Sequence, residues 1–218
     1  TLDSLTGGRF ILGIGAGWNK LEYMQYGYSF PPPAVRIKQM EEAVQIIKAM
    51  WSRENVTFKG KYFSVKNAHC SPKPDPPPPI MIGGGGERQT LDAVARYADW
   101  WNLDWVDLPL YKHKLIVLKE HCARVGRNPD DIVKTLLGAV VIADTDEKAL
   151  KIAEENRFQG SRYTFASIAR FIGTIETVKS QIKAFIEVGV EYFILAFLPV
   201  SNINIPFLFG EEVIPEFK

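Results

Sequence analysis

The sequence predicts an α/β protein in which helices cover a parallel sheet. Short apolar segments with the length of buried strands recur along the chain, and amphipathic segments of helical period lie between them. Glycines follow the first two apolar segments at the points where the strands are expected to end. Alternation of this kind is typical of sheets whose neighbouring strands run parallel and are joined by helical crossovers.

The composition is that of a folded protein without an unusual charge. The chain has 218 residues, of which 46% are hydrophobic and 23% are charged, and its formal net charge is +1. Nucleic-acid and membrane-surface partners are therefore not expected, because both usually require a concentrated positive field. No apolar run reaches the roughly 18 residues that a transmembrane helix needs.

Five short apolar runs are expected to form the strands. The second run follows a proline-rich segment that ends at Pro79. Proline fixes φ and excludes helix, so this segment is expected to be an extended lead-in to the strand, although its composition also fits a domain linker. The strands are predicted at residues 10–17, 80–82, 100–103, 136–143 and 192–197.

Amphipathic stripes between these strands predict the helices. In residues 35–51, Met40, Val44 and Ile47 recur at the spacing that places side chains on one helical face. Residues 56–65 instead indicate a small hairpin that turns at Lys59-Gly60. Helices are predicted at residues 35–51, 87–99, 111–125, from 146 onward, and 174–188.

The two cysteines, Cys70 and Cys122, are too few for a disulfide framework. Cys122 lies on the same helical stripe as Leu115 and Leu118, so we expect a buried thiol there. A reducing, cytoplasmic compartment fits this cysteine usage.

Two architectures are compatible with this order of elements. One is a doubly wound open sheet, and the other is part of a (β/α)₈ barrel, which requires eight strands. The five predicted strands cannot close such a barrel, and the order of elements alone leaves both architectures open.

The first glycine motif, Gly13-x-Gly15-x-Gly17-Trp18, stands at the end of the first predicted strand. Its third glycine comes one residue earlier than in the dinucleotide fingerprint, and a long loop follows instead of a helix. We therefore do not predict a dinucleotide site. Two interpretations stay open: close packing of the strand, or a flat ring lying against the strand end, where side chains would obstruct it.

The second motif joins the second strand directly to a helix through Gly83–Gly86. Glycine lets backbone amides approach an anion, and the helix N-terminus adds unpaired N–H groups and partial positive charge. Arg88 offers a charge-assisted contact and the Thr90 hydroxyl a hydrogen bond. These features predict a phosphate site, and the alternative is a tight strand–helix turn without a ligand.

The two glycine motifs belong to a longer set of motifs. The others are residues 2–10 (LDSLTGGRF), Glu22 and Gly27, Arg36 with Glu41-Glu42, residues 98–102 (ADWWN), and residues 173–178 before Gly189-Val190. In this combination the chain resembles the bacterial luciferase-like monooxygenase family, and the resemblance covers nearly the whole chain.

The resemblance implies an oxidoreductase with a (β/α)₈ barrel that uses reduced FMN or coenzyme F420 on a small organic substrate. It places the phosphate at the second glycine motif and the ring near the first. The glycine-rich form of the phosphate loop is more similar to that of the deazaflavin-dependent members. The implied cofactor-binding residues are Gly15, Ala16, Gly17, Trp18, Gly84, Gly85, Gly86, Glu87, Arg88 and Thr90.

The resemblance also implies that the barrel is incomplete. The chain corresponds to the family's strands four to eight, so residues 1–218 are expected to form a single luciferase-like domain of about five βα units that lacks its N-terminal part. Strands 10–17 and 192–197 would then have open edges, which proteins usually cover. We expect either a homo-oligomer formed through these edges or a fragment of a longer product.

Glu22 and Asn102 are the candidate catalytic residues, because Glu22 follows the first predicted strand and Asn102 lies near the end of the third, and barrel enzymes place function at the carboxyl ends of their strands. Glu22 is suited to proton transfer if it is desolvated, and its alternative role is a structural ion pair. Asn102 is suited to hydrogen-bonding a ring or a substrate, and its alternative is a structural amide.

Other chemistries are not supported by the sequence. The histidines His69, His113 and His121 do not form metal-ligand spacing with the cysteines, so no metal is predicted. No hydrolase triad signature is found. A nicotinamide site would need an acidic residue at the end of a second strand, whereas Glu41 and Glu42 fall inside a predicted helix.

A second function, from a different class, stays open. The chain would then be a non-catalytic flavin-binding protein or a structural remnant of a truncated barrel, stabilised by self-association. Bound flavin without turnover would distinguish the binding protein from the enzyme.

Overall fold

The computed structural model describes residues 1–156, 169–198 and 204–217. The chain divides into two compact units. The first unit comprises Thr1–Trp101 and Ile116–Ile132, and the second comprises Asn102–Leu115 and Val133–Lys218. The chain passes from one unit to the other inside a strand and inside a helix.

Helices and strands alternate along most of the described chain. The strands are β1 (Leu12–Ile14), β2 (Val56–Lys59), β3 (Ser64–Ala68), β4 (Ile80–Gly83), β5 (Trp100–Asp104), β6 (Val133–Ile142), β7 (Ala169–Gly173) and β8 (Tyr192–Phe197). The helices are α1 (Leu2–Thr6), α2 (Lys20–Gln25), α3 (Pro33–Ser52), α4 (Thr90–Tyr97), α5 (Leu108–Val125), α6 (Asp146–Glu155), α7 (Ile175–Ile186) and α8 (Asn204–Glu212). Over these ranges, we find no helix with the length and apolar character needed to cross a membrane.

The first unit contains the parallel pair of β1 and β4, with β5 beginning beside β4. Leu12 pairs with Ile80 and Ile14 with Ile82, and both β4 isoleucines are fully buried. The Asp99 carboxylate accepts a hydrogen bond from the Ile80 amide at 2.9 Å and one from Lys48 of α3 at 3.3 Å. This carboxylate therefore ties the start of β4 to α3.

The second unit is organised around β6, which forms parallel ladders with β7 and with β8. The end of β5 lies beside β6 in the same unit. Fully buried Phe171 of β7 contacts Phe185 of α7 and Phe193 of β8 edge-on, with ring centroids about 6 Å apart. Tyr111 of α5 meets Phe185 at 5.7 Å, and burial holds the pKa of its hydroxyl above the ordinary value.

The predicted α/β class and the five predicted strands are confirmed, with differences at the boundaries. The first strand covers only Leu12–Ile14 of the predicted residues 10–17, and the helix expected from residue 87 begins at Thr90. The short elements α1, α2, β7 and α8 were not predicted, because each offers too few residues for a hydrophobic period to be recognised. The hairpin at residues 56–65 is confirmed as β2 and β3, which pair antiparallel.

The turn of this hairpin is held by Glu42 of α3. The Glu42 carboxylate accepts hydrogen bonds from the backbone amides of Lys61 at 2.7 Å and of Tyr62 and Phe63 at 2.9 Å each. Burial raises the pKa of Glu42, but these three amides and the charge of Lys61 lower it by more, so the net pKa lies below the ordinary value.

Glu42→Gln is expected to destabilise the protein at neutral pH and to have less effect in acid. Since the folded-state pKa is depressed, ionised Glu42 stabilises the fold above the unfolded-state pKa, and this contribution is lost as pH falls through the folded-state pKa. Urea unfolding of both proteins at pH 7 and below pH 4 measures the difference in free energy. Glu120→Gln, the same change at an exposed position of α5, is the control. A difference that does not change with pH contradicts this role.

Gly173→Ala is expected to destabilise the second unit by about 2 kcal/mol or more. Gly173 has φ of +150°, and a Cβ there would lie 2.6 Å from Asp146 Oδ1 and from Thr177 Cγ2. Gly189→Ala is the matched control, because Gly189 has φ of +100° but open space around the added Cβ. Chemical denaturation should give the larger loss for Gly173→Ala, and equal losses would contradict the steric part of the argument.

Candidate functional site

The two glycine motifs lie side by side in the first unit. The parallel register that pairs Ile14 with Ile82 brings the residues after them together, so that a Cβ built on Gly15 would lie 3.9 Å from the carbonyl oxygen of Gly83. Both motifs therefore stand at the carboxyl end of neighbouring parallel strands, the edge at which α/β proteins usually place ligands.

The second motif forms an open bend between β4 and α4, which we call the tetraglycine bend (Gly83–Gly86). Gly84 has φ of +124°, a conformation that side chains rarely adopt. Among the described residues, the amides of Gly84, Gly85 and Gly86 donate to no backbone carbonyl. Gln89, at the N-cap of α4, makes no capping hydrogen bond through its side chain. The bend and the helix start thus leave backbone amides available for an anion.

Two carbonyl groups of the bend, those of Gly84 and Gly86, accept hydrogen bonds from the protein. The Nε1–H of fully buried Trp101 donates to the Gly84 carbonyl at 3.0 Å, and the Leu91 amide donates to the Gly86 carbonyl at 3.0 Å. In a trans peptide the carbonyl and the following N–H point in opposite directions. These two bonds therefore turn the amides of Gly85 and Glu87 away from Trp101 and from α4.

The side chains that follow the bend differ in exposure. Glu87 and Arg88 are exposed, whereas Thr90 is buried at the start of α4. A Cβ built on Gly86 would lie 2.7 Å from Thr90 Oγ1, so the Thr90 hydroxyl lies directly against the bend. Arg88 brings a positive charge to the same end of α4, where an anion is also favoured by the helix dipole.

The loop of the first motif is held by Arg36, which is buried near the start of α3. Its Nε donates to the carbonyls of Ala16 at 3.2 Å and Gly17 at 3.3 Å, and its Nη1 donates to the Pro31 carbonyl. The guanidinium carbon also lies 3.9 Å from the centre of the Phe30 ring. Arg36 therefore fixes both ends of the loop that leads from β1 to α3.

Trp18 stands at the outer side of this loop, with 84% of its surface exposed. Asn19 follows it and caps α2, since its Oδ1 accepts from the amides of Leu21 at 3.1 Å and Glu22 at 3.4 Å. The apolar side chains of this segment are also exposed in the described structure: Leu21, Met24, Tyr26 and Tyr28.

The structure places the two candidate catalytic residues in different settings. Glu22 is exposed on α2, so the described residues of the first unit do not supply the desolvation that proton transfer at this carboxylate requires. Asn102 belongs to the second unit, where its Oδ1 accepts a hydrogen bond from the hydroxyl of fully buried Thr135 at 2.7 Å. This bond engages the amide oxygen of Asn102 in a structural contact, and the catalytic roles of both residues stay predictions.

Sequence reasoning did not assign Trp101 or Arg36 to the site. Trp101 is 17 residues from its carbonyl partner Gly84, and Arg36 is 20 and 19 residues from Ala16 and Gly17. Both residues stand within motifs that carried the family resemblance, which was the available signal. Within the described ranges, no group of three or more His, Cys, Asp or Glu side chains is placed to hold a metal ion.

Comparison with known proteins identifies relatives of two cofactor types. The chain is 24% identical over 246 residues to the FMNH₂-dependent dimethylsulfone monooxygenase of Pseudomonas fluorescens, a match that covers 99% of this chain and 67% of that protein. It is 33% identical over 159 residues to the F420-dependent glucose-6-phosphate dehydrogenase of Kineococcus radiotolerans, covering 72% of this chain and 46% of the relative. The chain thus spans about half to two thirds of these relatives.

Solved structures match the whole chain. An F420-dependent secondary alcohol dehydrogenase in complex with an F420-acetone adduct aligns with a TM-score of 0.81 at 22% identity, over 100% of this chain and 72% of that one. The coenzyme F420-dependent tetrahydromethanopterin reductase of Methanopyrus kandleri aligns with a TM-score of 0.75 at 18% identity, over 98% and 76%. At these identities the likeness shows the fold, which is that of the luciferase-like (β/α)₈-barrel enzymes.

The family pattern described as luciferase-like monooxygenase matches residues 1–167, well over half of the chain. The same residues contain both glycine motifs and the bend whose amides face outward. The chain belongs to the luciferase-like monooxygenase family.

Proposed function

We propose that this protein is an oxidoreductase that binds reduced FMN or coenzyme F420 and acts on a small organic substrate. The observation that supports this most directly is the tetraglycine bend, whose amides are available and whose carbonyls at Gly84 and Gly86 are turned inward. An anionic phosphate is the natural ligand for such a bend at a helix start.

The relatives support the choice of cofactor. The curated proteins that match include enzymes described as FMNH₂-dependent and others described as F420-dependent. Phosphate is the chemistry common to both cofactors, and the backbone amides of the bend recognise phosphate without regard to the ring. The bend would therefore bind the phosphate that both cofactors contain, and the residues around the ring would determine which of the two cofactors is preferred.

The residues of this chain would hold the cofactor at two points. The amides of Gly84, Gly85 and Gly86 would bind the phosphate, with Glu87, Arg88 and Thr90 forming the rest of the loop. The ring would lie along Gly15, Ala16, Gly17 and Trp18, where the absence of a Gly15 side chain leaves the strand end flat. The bound cofactor supplies the redox chemistry, as hydride transfer or oxygen activation, and the protein supplies binding and orientation.

Arg36 maintains the ring side of the proposed site. Since its guanidinium binds the carbonyls of Ala16 and Gly17, those carbonyls are directed toward α3 and away from the position proposed for the ring. Glu22 would exchange a proton with the substrate, and Asn102 would hydrogen-bond the ring or the substrate through its amide nitrogen. For these roles, the exposed carboxylate of Glu22 and the amide of Asn102, whose oxygen is bonded to Thr135, would both have to face a bound ligand.

A second candidate function is cofactor binding without turnover. It is favoured by the exposure of Glu22, which leaves that carboxylate solvated, and by the Thr135 hydroxyl, which occupies the Asn102 oxygen with a structural hydrogen bond. In this alternative the protein retains the phosphate site but has no catalytic group.

We also propose that copies of the chain associate through strand edges and that the protein works in the cytoplasm. Among the described residues, β1 has a ladder only with β4, and β8 only with β6, so each offers an edge to a partner. The structure shows no disulfide bond between Cys70 and Cys122, and thiols of this kind fit a protein kept in a reducing compartment.

Gly84→Ala is expected to weaken FMN binding by tenfold or more while leaving riboflavin binding within about threefold of the unmodified protein. The substitution strains a residue at φ of +124° and pushes its Cβ to 3.2 Å from Thr90 Cγ2, which shifts the amides that bind the phosphate. Riboflavin has the same ring but no phosphate. Fluorescence titrations with FMN, riboflavin and F420 measure the three affinities and show which cofactor is preferred.

Gly210→Ala is the matched control for this experiment, because the same change falls in α8 at a position with open space around the Cβ. It should leave all three affinities unchanged. The phosphate site is contradicted if the unmodified protein binds FMN no more tightly than riboflavin and does not bind F420.

Turnover is expected to separate the enzyme from the binding protein. If the protein is an enzyme, a candidate substrate should accelerate the reoxidation of bound FMNH₂ by oxygen or, with oxidised F420, should reduce the cofactor. Stopped-flow absorbance of the cofactor measures both reactions. Tight cofactor binding with no substrate dependence across a panel of small ketones, alcohols and sulfur compounds would favour the non-catalytic alternative.

A further inference from the structure

A buried histidine lies directly behind the tetraglycine bend. His121, on the part of α5 that belongs to the first unit, exposes only 6% of its side chain. Its Nε2 lies 2.6 Å from the carbonyl oxygen of Glu87, the residue that follows the last glycine of the bend. Arg124 Nη2 also lies 3.2 Å from Nε2, but the Glu87 oxygen is the nearer atom. A carbonyl oxygen only accepts hydrogen bonds, so the bond to Glu87 requires that Nε2 bears the proton.

The other ring nitrogen of His121 is surrounded by charged groups. Its Nδ1 lies 3.3 Å from Asp92 Oδ1 of α4, and the guanidinium of Arg124 on α5 also contacts it. Asp92 is in turn held by Arg96 at 2.8 Å. Neutral His121 accepts at Nδ1 from Arg124, and protonated His121 donates from Nδ1 to Asp92. Both forms keep the proton on Nε2, so both preserve the bond to Glu87.

The direction of the Glu87 carbonyl sets the direction of the next amide. Because the peptide is planar and trans, a carbonyl that points at His121 requires the N–H of Arg88 to point the opposite way. The same geometry applies twice within the bend. Trp101 binds the Gly84 carbonyl and so turns the Gly85 amide away, and the Leu91 amide binds the Gly86 carbonyl and so turns the Glu87 amide away. Removal of the imidazole takes away the donor that holds the Glu87 carbonyl in this direction, and an outward rotation of that carbonyl would present a negative dipole to a bound anion.

We propose that His121 is a positioning residue of the phosphate site, which acts by donating its Nε2–H to the Glu87 carbonyl and so turns the Arg88 amide toward the phosphate. Asp92 and Arg124 hold the imidazole in the orientation that this bond needs. The inference rests on the proposed function and adds to it a residue of α5, 34 positions away from the carbonyl that it orients. His121 does not contact the cofactor in this arrangement.

Two variants of the full chain test this role. His121→Gln keeps a donor near the position of Nε2, whereas His121→Leu has similar bulk but no donor. We expect His121→Leu to lose tenfold or more in FMN affinity, with riboflavin affinity within threefold of the unmodified protein. His121→Gln should restore FMN affinity to within about threefold.

The outcomes separate this proposal from the proposed function. If the unmodified protein prefers FMN over riboflavin and His121→Leu retains the full preference, the role of His121 is wrong and the phosphate site stands. If His121→Leu weakens both ligands equally, or if His121→Gln does not restore FMN binding, the residue has only a structural role. If the unmodified protein neither prefers FMN over riboflavin nor binds F420, both proposals fall; if it binds F420 alone, the same comparison of variants is made with F420.

A measurement on the unmodified protein does not depend on whether the variants fold. Long-range ¹H–¹⁵N NMR of the His121 ring should show the proton on Nε2, and addition of inorganic phosphate should shift the backbone amide resonance of Arg88. A neutral ring with its proton on Nδ1, or an Arg88 amide that does not respond to phosphate, would overturn the proposal.

Discussion

The parallel pairing of β1 with β4 is the constraint on which the candidate site depends. The register that sets Ile14 opposite Ile82 is maintained by the burial of Ile80 and Ile82, because a slip of one residue would exchange the buried and exposed faces of β4. Only in this register do Gly15 and Gly83 meet at the strand ends. The hydrophobic pattern of a four-residue strand therefore determines where two glycine motifs, about 70 residues apart in sequence, come together.

Beyond the pairing, the site is shaped by hydrogen bonds to carbonyl groups. Trp101 binds the Gly84 carbonyl, Arg36 binds those of Ala16 and Gly17, and His121 lies behind that of Glu87. Each of these side chains is buried and donates from a ring or guanidinium nitrogen. Buried donors of this kind are rigid, so they hold the loops in one conformation before any ligand arrives, and preorganised loops bind without an ordering cost.

The fold and the position of the tetraglycine bend at a strand end were largely predictable from the sequence, whereas the contacts around the bend were not. Apolar runs and helical stripes predict strands and helices because buried side chains recur at the spacing of each element, which nearby residues reveal. The glycines of residues 83–86 predict a bend because few other residues adopt the backbone conformations that it needs. The hydrogen bond from Trp101 to Gly84 cannot be predicted from the neighbouring sequence, since the position of Trp101 is equally typical of a core residue without such a bond.

The histidine and the candidate catalytic residues illustrate the same limit. The sequence offers His121 only as a metal ligand, a role that its spacing from the cysteines excludes, and nothing in the pattern indicates that its ring meets a carbonyl 34 residues away. The position of Asn102 near the carboxyl end of a strand suggests a catalytic role, but its partner Thr135 lies 33 residues later on β6. Contacts across such separations depend on how strands and helices are brought together, which composition and periodicity do not record.

The available amides of the tetraglycine bend have a consequence for how such a site changes over evolutionary time. Main-chain groups are present whatever the side chain, so substitutions at exposed positions such as Glu87 and Arg88 leave the amides themselves in place. Selection would act instead on the glycines and on the interior donors behind them. In the proposed site, the exposed side chains would therefore be able to vary more than the residues that shape the main chain.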